Sequence, residues 1–476
     1  MLNYIWFALI VIGVFVAGLL GNIQGDEGIA EGAWASAKVA INLAIGLIGL
    51  MMLWLGMLRL AERAGLIRVL ARGIRPVMTR LFPDVPAEHP AMGAMIMNMA
   101  ANMLGLGNAA TPLGLKAMNE LNRLNPNPGT ATNAMCTFLA INTSSVTLIP
   151  ATAIGLVAAA GIANPYAIVA PAIGATFCST VVAIIAVKFF QRLPFFQVKE
   201  DALESSQMEK EAQSVEKALD EPEGDEVEIS HQPISGKMRV LIGVVAVMMV
   251  TVAVFEFAPQ VRQTFLDSTG LQEIIDQNAA MAEAGKEVRD RRGVVEFSGW
   301  KGILNSTSAL LIPLIFVLFT LAALARGVRV YEDFVEGAKE GWDVALRIMP
   351  FLVGMLVALG IFRGSGALML LQWGLKPILD VVHFPVDVLP MALMRPLSGS
   401  GSMSIMSEIL ATPDIALWIK YTAATMFGST ETTFYVLAVY FGSVAVRRTR
   451  HALAAGLCAD AAGVIAAVAI CSLMFG

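Results

Sequence analysis

The sequence predicts an all-α polytopic membrane protein made of two inverted-topology repeats, with re-entrant hairpins and broken transmembrane helices. Three observations predict it. Of 476 residues, 56% are apolar and 15% charged, against about 25% charged in a soluble domain, and the mean hydropathy is +0.68. Apolar runs of about 20 residues recur, the length that crosses a bilayer as a helix, whereas a barrel would show short alternating strands. A set of landmarks occurs twice in the same order. This composition excludes a soluble globule, and also a disordered chain, which is apolar-poor. The net charge of −5 argues against a nucleic-acid partner, which requires a basic face.

Apolar spans fall at about 3–20, 37–58, 131–160, 165–188, 238–258, 303–325, 341–362, 415–443 and 452–475. The first lacks a basic flank and a small-residue cleavage site, so it reads as a retained helix rather than a signal peptide. Two further stretches, 90–119 and 386–412, are apolar but crowded with Gly, Asn, Ser and Pro. The segment Gln197 to Gly236 holds twelve Asp/Glu and three Lys and reads as a solvated cytoplasmic linker. Outside it the chain carries 30 Lys/Arg against 26 Asp/Glu, so the overall acidity belongs to the linker. A second polar stretch, 259–300, reads as an extracytoplasmic helical segment. The resulting organisation is an N-terminal helix (1–30), a first repeat (31–196), the linker (197–236), two connecting transmembrane helices (237–335) and a second repeat (336–476). Cys136, Cys178, Cys458 and Cys471 sit singly in apolar runs and the four His are scattered, so neither a disulfide framework nor a zinc-type site is expected.

The repeat is read from five landmarks. Glu31-Gly32-Ala33 recurs as Glu336-Gly337-Ala338. Ile74-Arg75-Pro76 with Phe82-Pro83 recurs as Leu375-Lys376-Pro377 with Phe384-Pro385. A Gly/polar stretch follows, Asn98 to Pro112 and Pro396 to Ser404. Next comes an apolar span broken by hydroxyl residues, Asn142 to Ser145 and Gly428 to Thr433. A small-residue helix closes each half, Gly174 to Val187 and Gly456 to Ala469. Basic clusters orient the spans. The loop carrying Arg59, Arg63, Arg68, Arg72, Arg75 and Arg80 is expected to be cytoplasmic, as are Lys188, Arg192, Arg326, Arg329, Arg447, Arg448 and Arg450. All are satisfied together if the N-terminus is cytoplasmic, both Gly/polar stretches dip in and return, and the repeats run in opposite directions.

Inverted repeats with broken helices are the architecture of secondary transporters, which bind substrate near the midplane. Non-helical backbone survives at membrane depth only where protein or a water-filled cavity covers it, and helix N-termini there attract anions. Candidate substrate-binding residues are therefore Asn98, Asn102, Asn108 and Thr111 in the first stretch, and Asn142, Thr143 and Ser144 in the first broken span. In the second half they are Arg395, Ser398, Ser400 and Ser402, then Ser429, Thr430 and Thr432. Structural alternatives stand beside each: small residues also pack membrane helices, and Ser and Thr also bond back to their own helix. Arg395 either faces an anionic substrate or anchors the hairpin through carbonyls. Glu431 lies mid-span. A carboxylate buried there is expensive and usually functional, so it is expected to be buried and to carry a proton or help bind Na⁺. Asp460 is the second coupling candidate. No resident cofactor is expected.

The motifs Asn102-Met103-Leu104-Gly105-Leu106-Gly107-Asn108-Ala109-Ala110-Thr111-Pro112-Leu113-Gly114 and Asn142-Thr143-Ser144 resemble those of the spore maturation protein A family. Arg395-Pro396-Leu397-Ser398-Gly399-Ser400-Gly401 and Gly428-Ser429-Thr430-Glu431-Thr432-Thr433-Phe434-Tyr435 resemble spore maturation protein B. Both belong to the nucleoside-recognition (Gate) group. The resemblance spans nearly the whole chain except the linker and 259–300, as in a fusion with the A-like half first. It implies a fold related to concentrative nucleoside transporters, with substrate held between two hairpin tips and two broken helices.

The sequence thus points to a transporter of the bacterial cytoplasmic membrane, not an enzyme. Its expected substrate is a small polar or anionic metabolite, with nucleoside-like compounds among the candidates, moved with H⁺ or Na⁺. Membrane lipid surrounds it, and a homodimer is the expected assembly. The alternative is a membrane ligand sensor or scaffold that recruits a partner through the acidic linker.

Overall fold

The computed structural model describes residues 2–24, 28–105, 110–144, 146–162, 164–196, 236–269, 271, 299–381 and 384–476. Among these it is almost wholly helical, with no strand and one isolated bridge, Thr130 to Arg448. The linker and most of 259–300 lie outside the described residues. Of the helical segment expected in 259–300, Pro259–Thr269 is described as a helix.

The first half runs through eight helices: α1 (Leu2–Leu20), α2 (Ile29–Arg63), α3 (Leu66–Leu81), α4 (Pro90–Met103), α5 (Ala110–Arg123), α6 (Asn133–Thr143), α7 (Ala151–Ala159) and α8 (Val169–Phe190). Among the described residues three connecting helices follow: α9 (Gly236–Phe257), α10 (Pro259–Thr269) and α11 (Gly299–Ala325). The second half is α12 (Val330–Gly364), α13 (Ala367–Val381), α14 (Leu389–Met394), α15 (Gly399–Ala411), α16 (Leu417–Ser429), α17 (Thr433–Ser443) and α18 (Ala452–Phe475). The helices α2 to α8 and α12 to α18 share one order: a 35-residue helix, an amphipathic helix, a short pair, a broken span and a closing helix. Segments 165–190, 238–257, 301–325 and 452–475 are each long and apolar enough to cross a membrane, and α12 with α13 forms a pair bent by 71°. The chain is a multi-pass membrane protein.

One expectation changes. The basic run Arg59 to Arg80 is not a loop: Arg59 and Arg63 end α2, and the rest lie on α3 after a left-handed turn at Gly65. Arg68, Arg72, Arg75 and Arg80 are exposed on α3, while Ile67, Ala71 and Met78 face the core. The apolar stretch 131–160 is broken where its hydroxyl residues predict, with α6 stopping at Thr143 and α7 starting at Ala151.

The repeated Glu-Gly-Ala has a packing cause. Gly32 of α2 lies against Gly360 of α12, where a Cβ on Gly32 would sit 2.7 Å from the Gly360 carbonyl oxygen. Gly337 of α12 lies reciprocally against Gly56, 3.0 Å from its Cα by the same measure. Low partner numbers on one helix meet high numbers on the other, so α2 and α12 run antiparallel. Glycine lets their backbones touch, the membrane substitute for a hydrophobic driving force. α8 and α18 repeat the relation: Ser179 donates to the Ala459 carbonyl at 2.8 Å, and Gly174 meets Ile470. The helix α1 runs parallel to α12, with Trp6 Nε1 donating to Gly354 O at 2.9 Å.

Candidate functional site

Each half interrupts its helices twice: after Met103 and after Thr143 in the first, and at 395–398 and 430–432 in the second. A break strands backbone N–H and C=O groups that cannot stay bare in hydrocarbon. Here the breaks satisfy one another. Leu148 N donates to Met103 O at 2.9 Å, tying the first broken span to its own hairpin. Phe434 N donates to Pro396 O at 3.1 Å, the same tie in the second half. Glu431 N donates to Thr143 O at 2.8 Å and joins the two halves. Gly105 makes its turn at φ +74°, where any other residue would be strained, and a Cβ there would strike the Ile149 carbonyl. Gly456 and Gly463 of α18 let Thr433 and Thr430 approach closely.

The first hairpin presents amides. Asn98 is fully buried and donates to Ala110 O at 2.8 Å. Asn102 donates to Asn142 Oδ1 at 2.9 Å and lies 3.5 Å from Asn98 Oδ1, while Asn142 donates to Phe138 O at 2.9 Å. The three form a ladder across α4 and α6. Thr111 is half-buried in the first turn of α5. Asn108 lies outside the described residues.

The second hairpin presents a charge and hydroxyls. Ser398 caps α15 by accepting from Gly401 N at 3.0 Å, and its Oγ lies 3.3 Å from that of Ser400. Arg395 is buried, with its guanidinium carbon 4.7 Å above the Phe427 ring, a cation–π arrangement. One of its nitrogens lies 3.9 Å from Glu431 Oε2, and its Nε is buried without a partner. The expectation of a buried Glu431 fails: its side chain is 56% exposed, because the break at 430–432 turns it outward. The buried carboxylate is Asp460, at 2% exposure; Thr433 donates to its Oδ2 at 2.7 Å and its Oδ1 is unpartnered.

Most of the predicted hydroxyls turn back on their own helices. Thr143 and Ser144 donate to Ala140 O at 2.9 Å, Ser402 to Ser398 O at 2.6 Å, Ser429 to Met426 O at 3.1 Å and Thr430 to Met426 O at 3.5 Å. Their protons are spent, so only lone pairs remain for a ligand. Thr432 is buried at the start of α17, facing Gly399. Three neighbours escaped the sequence reading. Phe427 supports Arg395, Thr433 binds Asp460, and the Tyr440 hydroxyl fills the space beside Gly114. Thr433 was visible next to Glu431; the two aromatics look like any apolar helix residue.

A separate cavity of about 250 Å³ lies away from the breaks, lined by Asp84, Asn125, Thr132, Asn133 and Arg450 among others. Beside it His451 is buried against Phe196, and burial with the Arg450 and Lys188 charges pushes it down to about 4. Among the described residues no three His, Cys, Asp or Glu come together as a metal site.

Residues 44–160, which contain the amide ladder and the first broken span, match the Gate family, described as nucleoside recognition. Spore maturation protein A of Bacillus subtilis (strain 168) is 45% identical over 190 residues, 40% of this chain and 95% of that protein. Spore maturation protein B of the same organism is 43% identical over 174 residues, 37% of this chain and 98% of that protein. The chain belongs to the spore maturation protein A/B family. Each relative is covered almost whole by part of this chain, as in a fusion of the two. No solved structure matches it.

Proposed function

We propose that this chain is a secondary transporter of the bacterial cytoplasmic membrane, with its N-terminus cytoplasmic, moving a small polar or anionic metabolite together with H⁺ or Na⁺. The observation that carries the reading is the meeting of four helix breaks around Arg395, Glu431 and Asp460. Broken helices at membrane depth are stable where they line a water-filled cavity, and the half-exposed Glu431 is in keeping with one. The antiparallel pairs α2/α12 and α8/α18 favour inverted repeats, the geometry in which one half rocks against the other around a fixed site. The short pairs α4/α5 and α14/α15 then serve as re-entrant hairpins. The Gate description of residues 44–160 favours a nucleoside-like ligand at the amide side.

Glu431→Gln tests the reading. In proteoliposomes, flux driven by a pH or Na⁺ gradient should fall to background, while gel filtration shows an unchanged oligomer. Undiminished coupled flux in that variant would remove Glu431 from the mechanism.

A further inference from the structure

We infer that Arg395 is an anion receptor and that Glu431 is its stand-in partner. A carboxylate or phosphate on the substrate replaces Glu431 at the guanidinium, and the displaced Glu431 takes up one monovalent cation. This deepens the transport reading and rests on it: it names the substrate's charged group and the reason that ion and substrate travel together.

Arg395 carries an unmet demand. A buried cation is costly unless it is paired and hydrogen-bonded, and a guanidinium is a planar fork suited to two parallel bonds with a carboxylate or phosphate. Arg395 is buried, yet its Nε has no partner and its contact to Glu431 is 3.9 Å, longer than a hydrogen bond. Among the described residues, Glu431 is the carboxylate within 4 Å. This is half a partner, a single loose contact where the fork can make two tight ones. The Phe427 ring beneath the guanidinium adds support but no hydrogen-bond acceptor.

The surroundings favour an incoming anion. The first turn of α15 begins four residues after Arg395, with Ser398 already capping the Gly401 amide, and a helix N-terminus attracts negative charge. Glu431 can leave because its contact to Arg395 is loose and more than half of its side chain is exposed. With Arg395 engaged by the anion, the other groups within electrostatic reach of Glu431 are Asp460 of α18 and Tyr440 of α17. Neither supplies a compensating positive charge, so a proton or Na⁺ does. By linkage the anion and the cation each strengthen the binding of the other.

The test uses the purified full chain titrated calorimetrically with inorganic phosphate and with succinate. The pH is varied from about 5 to 8, with Na⁺ or choline as the salt. After correction for the protonation of phosphate and succinate themselves, wild type should bind at least one anion more tightly at the acidic end of the range or on replacing choline with Na⁺. His451, pushed down to about 4, stays neutral across that range and does not contribute. Glu431→Gln should bind the anion more tightly and lose both dependences. Arg395→Lys, which keeps the charge but not the fork, should weaken binding at least tenfold. Wild type and Glu431→Gln that both ignore phosphate and succinate overturn the inference, as does a Glu431→Gln variant that keeps the wild-type pH or Na⁺ dependence. Coupled flux that survives alongside such a result removes the receptor and leaves the transporter. Absent flux with the predicted binding behaviour removes the transporter and leaves the receptor.

Discussion

The two hairpins occupy matching places in the two halves and do different chemistry. The first, α4 with α5, carries neutral amides that satisfy one another: Asn98, Asn102 and Asn142 have their hydrogen bonds in place without a ligand. The second, α14 with α15, carries Arg395, whose Nε is unpartnered and whose carboxylate contact is loose. Among the described residues, the amides of the first hairpin are paired and the guanidinium Nε of the second is not. A polar group that is already satisfied acts mainly as a structural support or a shape filter, whereas an unsatisfied one stores a demand that a ligand can meet. Near-symmetric architecture thus supports an asymmetric site, with a neutral hydrogen-bonding side and a cationic side.

That contrast can be broken or sharpened by substitution. The largest structural effect is expected at the turn of the first hairpin. Gly105→Ala places a Cβ in the left-handed region and against Ile149 O. The backbone strain is about 1–2 kcal/mol and the overpacking about 1–3 kcal/mol, so the melting temperature in detergent should fall by several degrees. The matching change in the second hairpin, Gly399→Ala, meets Thr432 Oγ1 at 3.1 Å without left-handed strain, and should cost about 1 kcal/mol or less. Equal losses at the two positions would mean that the hairpins are not built differently.

A smaller effect is expected from Asn102→Ala, which leaves the buried Asn142 Oδ1 without its donor. The cost should be about 1–3 kcal/mol in stability, with substrate affinity lowered but its pH and Na⁺ dependence unchanged. A changed ion dependence would place the amide ladder in coupling and erase the division of labour. The smallest effect is expected from deleting 200–228. If the site lies wholly at the helix breaks, flux and anion affinity should stay within about twofold of wild type, since the linker is a solvated tether. A large loss would favour the sensor or scaffold reading in its place.

Much of the architecture was legible in the residues. Gly, Asn, Ser and Pro crowd the places where helices stop, because those residues supply left-handed turns, caps and local backbone partners. The recurring Glu-Gly-Ala was readable as a repeat, and its reason is the reciprocal glycine contact between α2 and α12. The burial of individual side chains was not legible. Glu431 and Asp460 both look like intramembrane carboxylates in an apolar context. The break at 430–432 leaves the first exposed, while α8, α16 and α17 enclose the second against Thr433. Nor was the back-bonding of Ser144 or Ser402 readable, since the same hydroxyl could have faced a ligand.

By itself the sequence determined the solvent of this protein, the positions at which its helices stop and the doubling of its halves. Those follow from hydropathy, backbone chemistry and local order along the chain. The tertiary structure decided which charged group is satisfied. Arg395, Phe427, Glu431 and Asp460 come from different helices and breaks, and whether a buried charge meets a partner depends on distances of a few ångströms across those elements. Chain order carries no such distance, so the loose contact at Arg395 becomes visible only once the helices and breaks of the second half are folded against one another.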